Sequence, residues 1–340
     1  MGYRLFPVVV AVATMISLLI GAVMVGARTT FSDDVFYTQR EGDGWRVYVL
    51  DADRRLSAAL GPMLRTDTQP DRLQMVRSPD GRFLTYTEGG RIWLVRVATG
   101  EKVVLEHGAH PAWSPAGDQL AYTVDGRIHI AHIADDGTIA DTLAFPPDDT
   151  VFDTEIAWSD DGVRLLWLRY SPETTDVEVY TGDADGTNIQ NISVDPTNGN
   201  WNPAWSPDGD SIAYVTYSST AEDMILSHLT AGTTTALITG MNYENGPVWS
   251  TDGRQLAYLE RTGRMFYMLN AVQIDPDHPQ QGVKSLELSI FARGWSGLYW
   301  LPNRHTIVFA HARNRDLYTV DLDGNLRRLT FDGQVKVLLP

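Results

Sequence analysis

Short bursts of alternating apolar and polar residues run through most of this chain. Ile212-Ala213-Tyr214-Val215, Arg91-Ile92-Trp93-Leu94-Val95-Arg96-Val97 and Asp316-Leu317-Tyr318-Thr319-Val320-Asp321-Leu322 are clear cases. A period of two over four to eight residues predicts a strand with one buried face. Turn residues separate the bursts: Ser-Pro-Asp-Gly on one side, and Ala98-Thr99-Gly100-Glu101 or Asp321-Leu322-Asp323-Gly324-Asn325 on the other. Proline presets φ, aspartate bonds its own backbone, and glycine takes the position where φ is positive.

The pattern repeats. Pro203-Ala204-Trp205-Ser206-Pro207-Asp208-Gly209 followed by Ile212-Ala213-Tyr214 is nearly copied from Pro247 to Tyr258 and from Pro111 to Tyr122, with looser copies from Ile156, Arg77 and Tyr299. The reference position runs Arg77, Trp113, Trp158, Trp205, Trp249, Trp300, in steps of 36, 45, 47, 44 and 51 residues. Short strands repeating at this spacing predict the blades of a β-propeller, each of four antiparallel strands. The first unit, from Val35, lacks an innermost strand, and Gln334 to Pro340 is a lone alternating strand after the last unit. Placing that strand in the first unit closes the ring and removes both free edges.

The Trp-Ser-Pro-Asp-Gly and Ile-Ala-Tyr elements resemble the TolB-type propeller, and are similar to the propellers carried by prolyl-oligopeptidase and dipeptidyl-peptidase relatives. The resemblance covers roughly residues 33–340. Our reading is an all-β, seven-bladed propeller over 35–340: 35–61 with 334–340, then 70–105, 109–143, 153–193, 200–238, 244–288 and 293–330. Six blades, with the first unit an appended hairpin, is the second arrangement, because TolB-type propellers are typically six-bladed. Resemblance to TolB implies partner binding at a membrane face, as a peripheral subunit of a bacterial envelope complex. No room is left for the hydrolase domain of the peptidase relatives.

One stretch breaks the alternation. Leu5 to Ala27, 23 residues, carries no charge. About 20 apolar residues cross a bilayer as a helix, so residues 1–28 are expected to anchor the chain, with 29–34 a short polar linker. Arg4 and the amino terminus before the span, against Ser32-Asp33-Asp34 after it, place the N-terminus inside and the propeller on the extracytoplasmic side of a bacterial cytoplasmic membrane. The competing reading is a cleaved signal ending near Val25-Gly26-Ala27, but its apolar core is long for one.

Charge and composition narrow the function. The chain has no cysteine and a formal net charge of −16. Disulfides, a cysteine metal site and a lipidated cysteine are excluded. Acidity without a basic patch argues against nucleic acid and suits a soluble β protein with guarded edges. No H-E-x-x-H, G-x-S-x-G or phosphate loop occurs. Asp183 to Asn188 and Asp321 to Asn325 read as hairpin turns rather than calcium loops. No metal or cofactor is expected. The repeated tryptophans read as packing between blades.

The segments ahead of each inner strand are expected to line the channel mouth. Candidate binding residues there are His107, His110, Asp153, Glu155, Asn200, Asn202, Tyr243, Glu244, Asn245, Arg293 and Trp295. A concave mouth with such groups is the default binding site. The reading is a non-catalytic interaction or scaffold module, with protein partners at the membrane or in the envelope and the bilayer contacted through residues 5–27. The second reading is a propeller enzyme acting on glycans or peptides at the mouth. Converging titratable groups mark the enzyme; an exposed apolar or aromatic patch on one face or rim marks the scaffold.

Overall fold

A computed structural model describes residues 34–340, apart from residue 54 and the segments 66–74, 146–149, 194–198, 218–221, 262–266, 276–283, 293–297, 303–304, 312–313, 334–335 and 339–340. The anchor expected over residues 5–27 lies outside the described residues. No helix among the described residues is long and apolar enough to cross a membrane.

Local chemistry builds each repeat. In the Ser-x-Asp-Gly turn the serine is buried. Its Oγ accepts from the backbone N–H five residues on: Phe83 to Ser78 at 2.9 Å, Arg164 to Ser159 at 3.0 Å, Ser211 to Ser206 at 2.9 Å and Gln255 to Ser250 at 2.9 Å. The same hydroxyl donates to the aspartate two residues on, Asp80, Asp161, Asp208 or Asp252. Ala116 stands at that place in one copy, and Ser114 donates to Asp118 instead at 3.1 Å. The turn glycines, Gly81, Gly117, Gly162, Gly209 and Gly253, hold φ between 69 and 74°, where a side chain would be strained.

These turns join strands into seven four-stranded antiparallel sheets. Blade 1 holds β1 (Asp34–Glu41), β2 (Gly44–Asp51) and β3 (Leu56–Ala59). Blade 2 holds β4 (Val76–Arg77), β5 (Phe83–Glu88), β6 (Arg91–Arg96) and β7 (Lys102–His107). Blade 3 is β8 (Ala109–Trp113), β9 (Gln119–Val124), β10 (Arg127–Ile133) and β11 (Ile139–Ala144). Blade 4 is β12 (Phe152–Trp158), β13 (Arg164–Ser171), β14 (Asp176–Asp183) and β15 (Gln190–Asn191). Blade 5 is β16 (Gly199–Trp205), β17 (Ser211–Tyr217), β18 (Glu222–His228) and β19 (Thr233–Met241). Blade 6 is β20 (Tyr243–Trp249), β21 (Gln255–Arg261), β22 (Tyr267–Gln273) and β23 (Lys284–Ala292). Blade 7 is β24 (Leu298–Trp300), β25 (Thr306–Ala310), β26 (Leu317–Asp321) and β27 (Leu326–Arg328). The last strand, β28 (Lys336–Leu338), pairs with β1 through Tyr37↔Leu338, Thr38↔Val337 and Gln39↔Lys336. Seven blades are present, and the six-bladed arrangement is set aside: the first unit is a full sheet because β28 supplies its missing strand.

The core is divided rather than central. Seven apolar clusters each bridge two neighbouring blades, for example Leu259, Leu269, Trp300, Ile307 and Phe309 between blades 6 and 7. Each fully buried aliphatic or aromatic side chain stabilises by about 1.5–3 kcal/mol relative to exposure. The repeat tryptophans tie the layers. Trp158 Nε1 donates to Ala112 O at 3.0 Å, Trp249 to Ala204 O at 3.2 Å and Trp300 to Val248 O at 2.9 Å. In each case the acceptor precedes the equivalent residue of the blade before.

Candidate functional site

The first strands of neighbouring blades touch one another: β8 with β12, β12 with β16, β16 with β20. They are the innermost strands and form the channel wall. They begin at one end of the ring, called here the mouth end. The Ser-x-Asp-Gly turns lie at the other.

Most of the expected site residues lie on these strands and not in loops ahead of them. His110 is in β8, Asp153 and Glu155 in β12, Asn200 and Asn202 in β16, and Tyr243, Glu244 and Asn245 in β20. His107 differs: it is exposed at the end of the outer strand β7, opposite Arg91. Arg293 and Trp295 lie outside the described residues.

Each innermost strand of blades 3 to 6 is interrupted at an equivalent place, and that of blade 6 also shifts register between Tyr243 and Asn245. Pairing skips from Ala109 to Ala112, from Thr154 to Ala157, from Trp201 to Ala204 and from Asn245 to Val248. Inside every skip, three residues before the repeat tryptophan, sits a residue with positive φ: His110 at 54°, Glu155 at 52°, Asn202 at 49° and Gly246 at 107°. The next residue is Pro111, Ile156, Pro203 or Pro247. Proline has no N–H for a ladder, and a bulge on an edge strand is where a sheet tolerates it. Bulges re-aim side chains, and they concentrate near functional sites.

The candidates then separate by environment. Asp153 is 4 % exposed and grips Arg169 with two bonds, Nε to Oδ1 at 2.7 Å and Nη2 to Oδ2 at 2.9 Å. Arg169 lies over the Tyr180 ring at 4.7 Å. Asp153, Arg169 and Glu178 stand directly opposite one another on three adjacent strands. Asn200, 1 % exposed, donates across the blade junction to Val177 O at 3.0 Å and to Glu178 Oε2 at 3.3 Å. These residues knit blade 4 to blade 5. Tyr243 is also tied: its N–H donates to the Glu222 carboxylate and its hydroxyl to Gly246 O.

Glu155 and His110 behave differently. Glu155 is exposed by area, yet surrounding protein desolvates its carboxyl and raises its pKa. Open to water and crowded at once is the condition of a side chain on a concave wall. Desolvation likewise lowers the pKa of half-buried His110. Asn202 is half-buried. Neither Glu155 nor Asn202 has a hydrogen-bond or ion-pair partner among the described residues.

Sequence reasoning missed four residues at the mouth end. Phe152 and Tyr170 pair across β12 and β13, with ring centroids 6.4 Å apart, and are 46 % and 37 % exposed. Trp201 and Tyr217 belong to blade 5 and are 45 % and 50 % exposed, the indole lying against Gly199, the register partner of Tyr217. A signal existed: Tyr170 and Tyr217 each stand twelve residues after their repeat tryptophan, Trp158 and Trp205. A separate recess of about 730 Å³ opens at the opposite end between blades 4 and 5, where Asp183, Asp208, Asp210 and His228 face it. Its polar groups largely bond among themselves, as in Thr230 N to Asp210 Oδ1 at 3.0 Å and Asn188 Nδ2 to Asp183 Oδ2 at 2.6 Å.

Comparison with known proteins gives a consistent fold. The family model of the TolB beta propeller domain matches residues 23–299. An uncharacterised protein of Agrobacterium fabrum is 30% identical over 159 residues, 41% of this chain and 53% of that protein. The Tol-Pal system protein TolB of Alcanivorax borkumensis is 32% identical over 105 residues, 29% of this chain and 24% of that protein. The chain thus spans about half and about a quarter of the lengths of these two curated relatives. Among solved structures, a proposed 6-phosphogluconolactonase from Bacteroides uniformis aligns with a TM-score of 0.61 at 14% identity, over 91% of this chain and 98% of that one. At that identity the likeness carries the fold alone.

Proposed function

The chain belongs to the TolB β-propeller domain family, and from that premise we propose that it is a non-catalytic protein-interaction module of a bacterial envelope. The observation that carries the reading is the set of four exposed aromatics, Phe152 and Tyr170 in ring contact on one blade and Trp201 and Tyr217 on the next, at the mouth ends of two adjacent blades. Large aromatics left in water mark interaction surfaces, because their apolar area is released from water only when a partner covers it. Tryptophan and tyrosine also dominate the residues that carry binding energy at interfaces. In this reading residues 1–28 hold the chain in the cytoplasmic membrane, 29–34 form a short linker, and 35–340 face outward. The channel-wall residues around Glu155 lie beside the contact surface.

The test is recovery of partners from native membranes in mild detergent with the full chain as bait. Trp201→Ala with Tyr217→Ala, and separately Phe152→Ala with Tyr170→Ala, are expected to reduce recovery of a stoichiometric partner at least tenfold. Unchanged recovery by both folded double variants would sink the reading.

The second reading, a propeller enzyme acting on glycans or peptides at the mouth, is favoured by one observation: Glu155 and His110 have perturbed pKa values at equivalent positions of adjoining strands. Perturbed titratable groups in a cleft are the usual sign of a catalytic site.

A further inference from the structure

The four channel-wall bulges are equivalent in geometry but not in residue. Gly246 occupies the left-handed region without strain. Asparagine and histidine enter that region several times more often than other side chains. Glutamate has no such tendency, and its Cβ is forced toward the following carbonyl oxygen. Glu155 is therefore the most strained of the four, and no internal bond compensates it: its carboxyl has no partner among the described residues. It stands on crowded ground where a lone carboxylate is poorly solvated. Asn202, at the same position of the adjoining strand, also has a side chain without a partner among the described residues. Strained backbone at a wall position, carrying polar groups without partners among the described residues, points outward to a ligand.

We propose that Glu155 and Asn202 form a binding site in the channel wall for a primary ammonium group. The chemistry follows from what the two side chains offer. Glu155 supplies one negative charge and two acceptor oxygens, and Asn202 supplies a carbonyl oxygen from the neighbouring strand. An ammonium carries three rotatable N–H donors on a compact charge, so it can bond to acceptors set on two different strands. A guanidinium has its donors in a rigid planar fork suited to a single carboxylate. A divalent cation takes six or more oxygen ligands, and two residues supply too few. The ammonium belongs either to a free amine or to a lysine side chain presented by a protein. This site uses residues other than the exposed aromatics and stands without the partner-binding reading.

Calorimetric titration of the full chain in detergent, with cadaverine and with the peptide acetyl-Gly-Lys-Gly-amide as probes, tests the site. At least one probe is expected to bind, and 1-pentanol is not. Glu155→Gln is expected to weaken binding roughly tenfold or more, the size of a lost charge-assisted bond, and Asn202→Ala by about threefold. Asp125→Asn, an exposed mouth-end carboxylate changed in the same way, is expected to leave it unchanged. Cadaverine binding without the peptide assigns a free amine; peptide binding assigns a lysine. Glu155→Gly gives a second readout that keeps the fold: it should lose the probe while raising Tm by about 1–3 °C, because glycine relieves the left-handed strain. The proposal is overturned if neither probe binds, if Asp125→Asn weakens binding as much as Glu155→Gln, if agmatine, which pairs a guanidinium with one amine, binds tenfold tighter than cadaverine, or if Glu155→Gly lowers Tm.

Discussion

The junction between blades 4 and 5 and the junction between blades 6 and 7 join the same repeat by different means. Between blades 6 and 7 the contact is an apolar layer of nine buried residues, and Trp300 closes it with an indole bond to Val248 O at 2.9 Å. Between blades 4 and 5 the buried layer among the described residues is six, against those nine. Trp205 is still buried there, but its indole N–H has no partner among the described residues. Its ring instead carries the Arg164 guanidinium at 4.7 Å, which also donates to Gly209 O of the next turn at 2.7 Å. Asn200 completes the junction at the mouth end by reaching Glu178. One junction is held by apolar area; the other trades part of that area for charged and amide groups. The same tryptophan at the same repeat position thus anchors hydrogen bonding in one place and only packing in another. Exposed Tyr170, Trp201 and Tyr217 and the strained Glu155 stand on the two blades of this mixed junction, whereas Phe152 lies against Gly126 of blade 3.

The largest expected effect that tests this contrast lies in the polar joint. Asp153→Ala leaves Arg169, whose side chain is 15 % exposed, without its carboxylate, and should destabilise by about 3 kcal/mol. Replacing both, Asp153→Leu with Arg169→Met, should recover part of that loss, since the two paired charges leave together while buried Glu178 keeps its bond from Asn200. Urea unfolding of the two variants measures the difference; equal losses would mean that the pair is not acting as a unit.

A smaller effect separates the tryptophans. Trp300→Phe abandons the Val248 carbonyl, whereas Trp205→Phe abandons no indole acceptor. The first should cost about 1 kcal/mol more than the second, read from the same unfolding curves. If both cost the same, the junctions are held alike and the comparison fails.

The smallest effect is a pH dependence with opposite signs at two carboxyls of blade 4. Desolvation raises the Glu155 pKa, so the folded state holds that proton more tightly than the unfolded chain. Its contribution to stability is complete below the ordinary glutamate range and is lost as pH rises through the shifted value. Asp161 is the reverse: the Ser159 hydroxyl and then the Val163 N–H hold its pKa down, so its contribution is present above the ordinary aspartate range and is lost as pH falls. Glu155→Gln should therefore remove a fall in stability that sets in as pH rises above the ordinary glutamate range, and Asp161→Asn one that sets in as pH drops below the ordinary aspartate range. Tm measured across pH for both variants checks the signs.

The sequence announced the fold far better than the site. The Ser-x-Asp-Gly turn is legible because its serine, aspartate and glycine each do one local job, and the tryptophan because each junction demands a large apolar residue. Blade number followed from spacing and from one strand missing at the start and spare at the end. The channel wall was harder. Pro111, Pro203 and Pro247 suggest that a strand begins there, and the residues ahead of them then look like loop. In the fold the strand runs through the proline on a bulge, because an innermost strand has no ladder bond to lose on its channel side. Side-chain partners were not legible at all: nothing local distinguishes Asp153, locked to Arg169, from Glu155, two residues later and unpaired among the described residues.

The closure of the ring has a consequence in time. Blade 1 holds the first strands to be made and one of the last, so β1, β2 and β3 wait with an open edge while residues 60 to 335 are synthesised. At ordinary translation rates of about 5–20 residues per second, that wait is roughly 15–55 s. When Lys336–Leu338 arrive, three register pairs among the described residues join them to β1. The approach is prepared: buried Asp316 accepts from Thr330 Oγ1 at 3.0 Å and from Gly333 N at 3.1 Å, holding the segment that leads into the final strand. The weak moment of this propeller is therefore its birth, when a half-built first blade must avoid pairing with any other strand before its own partner exists.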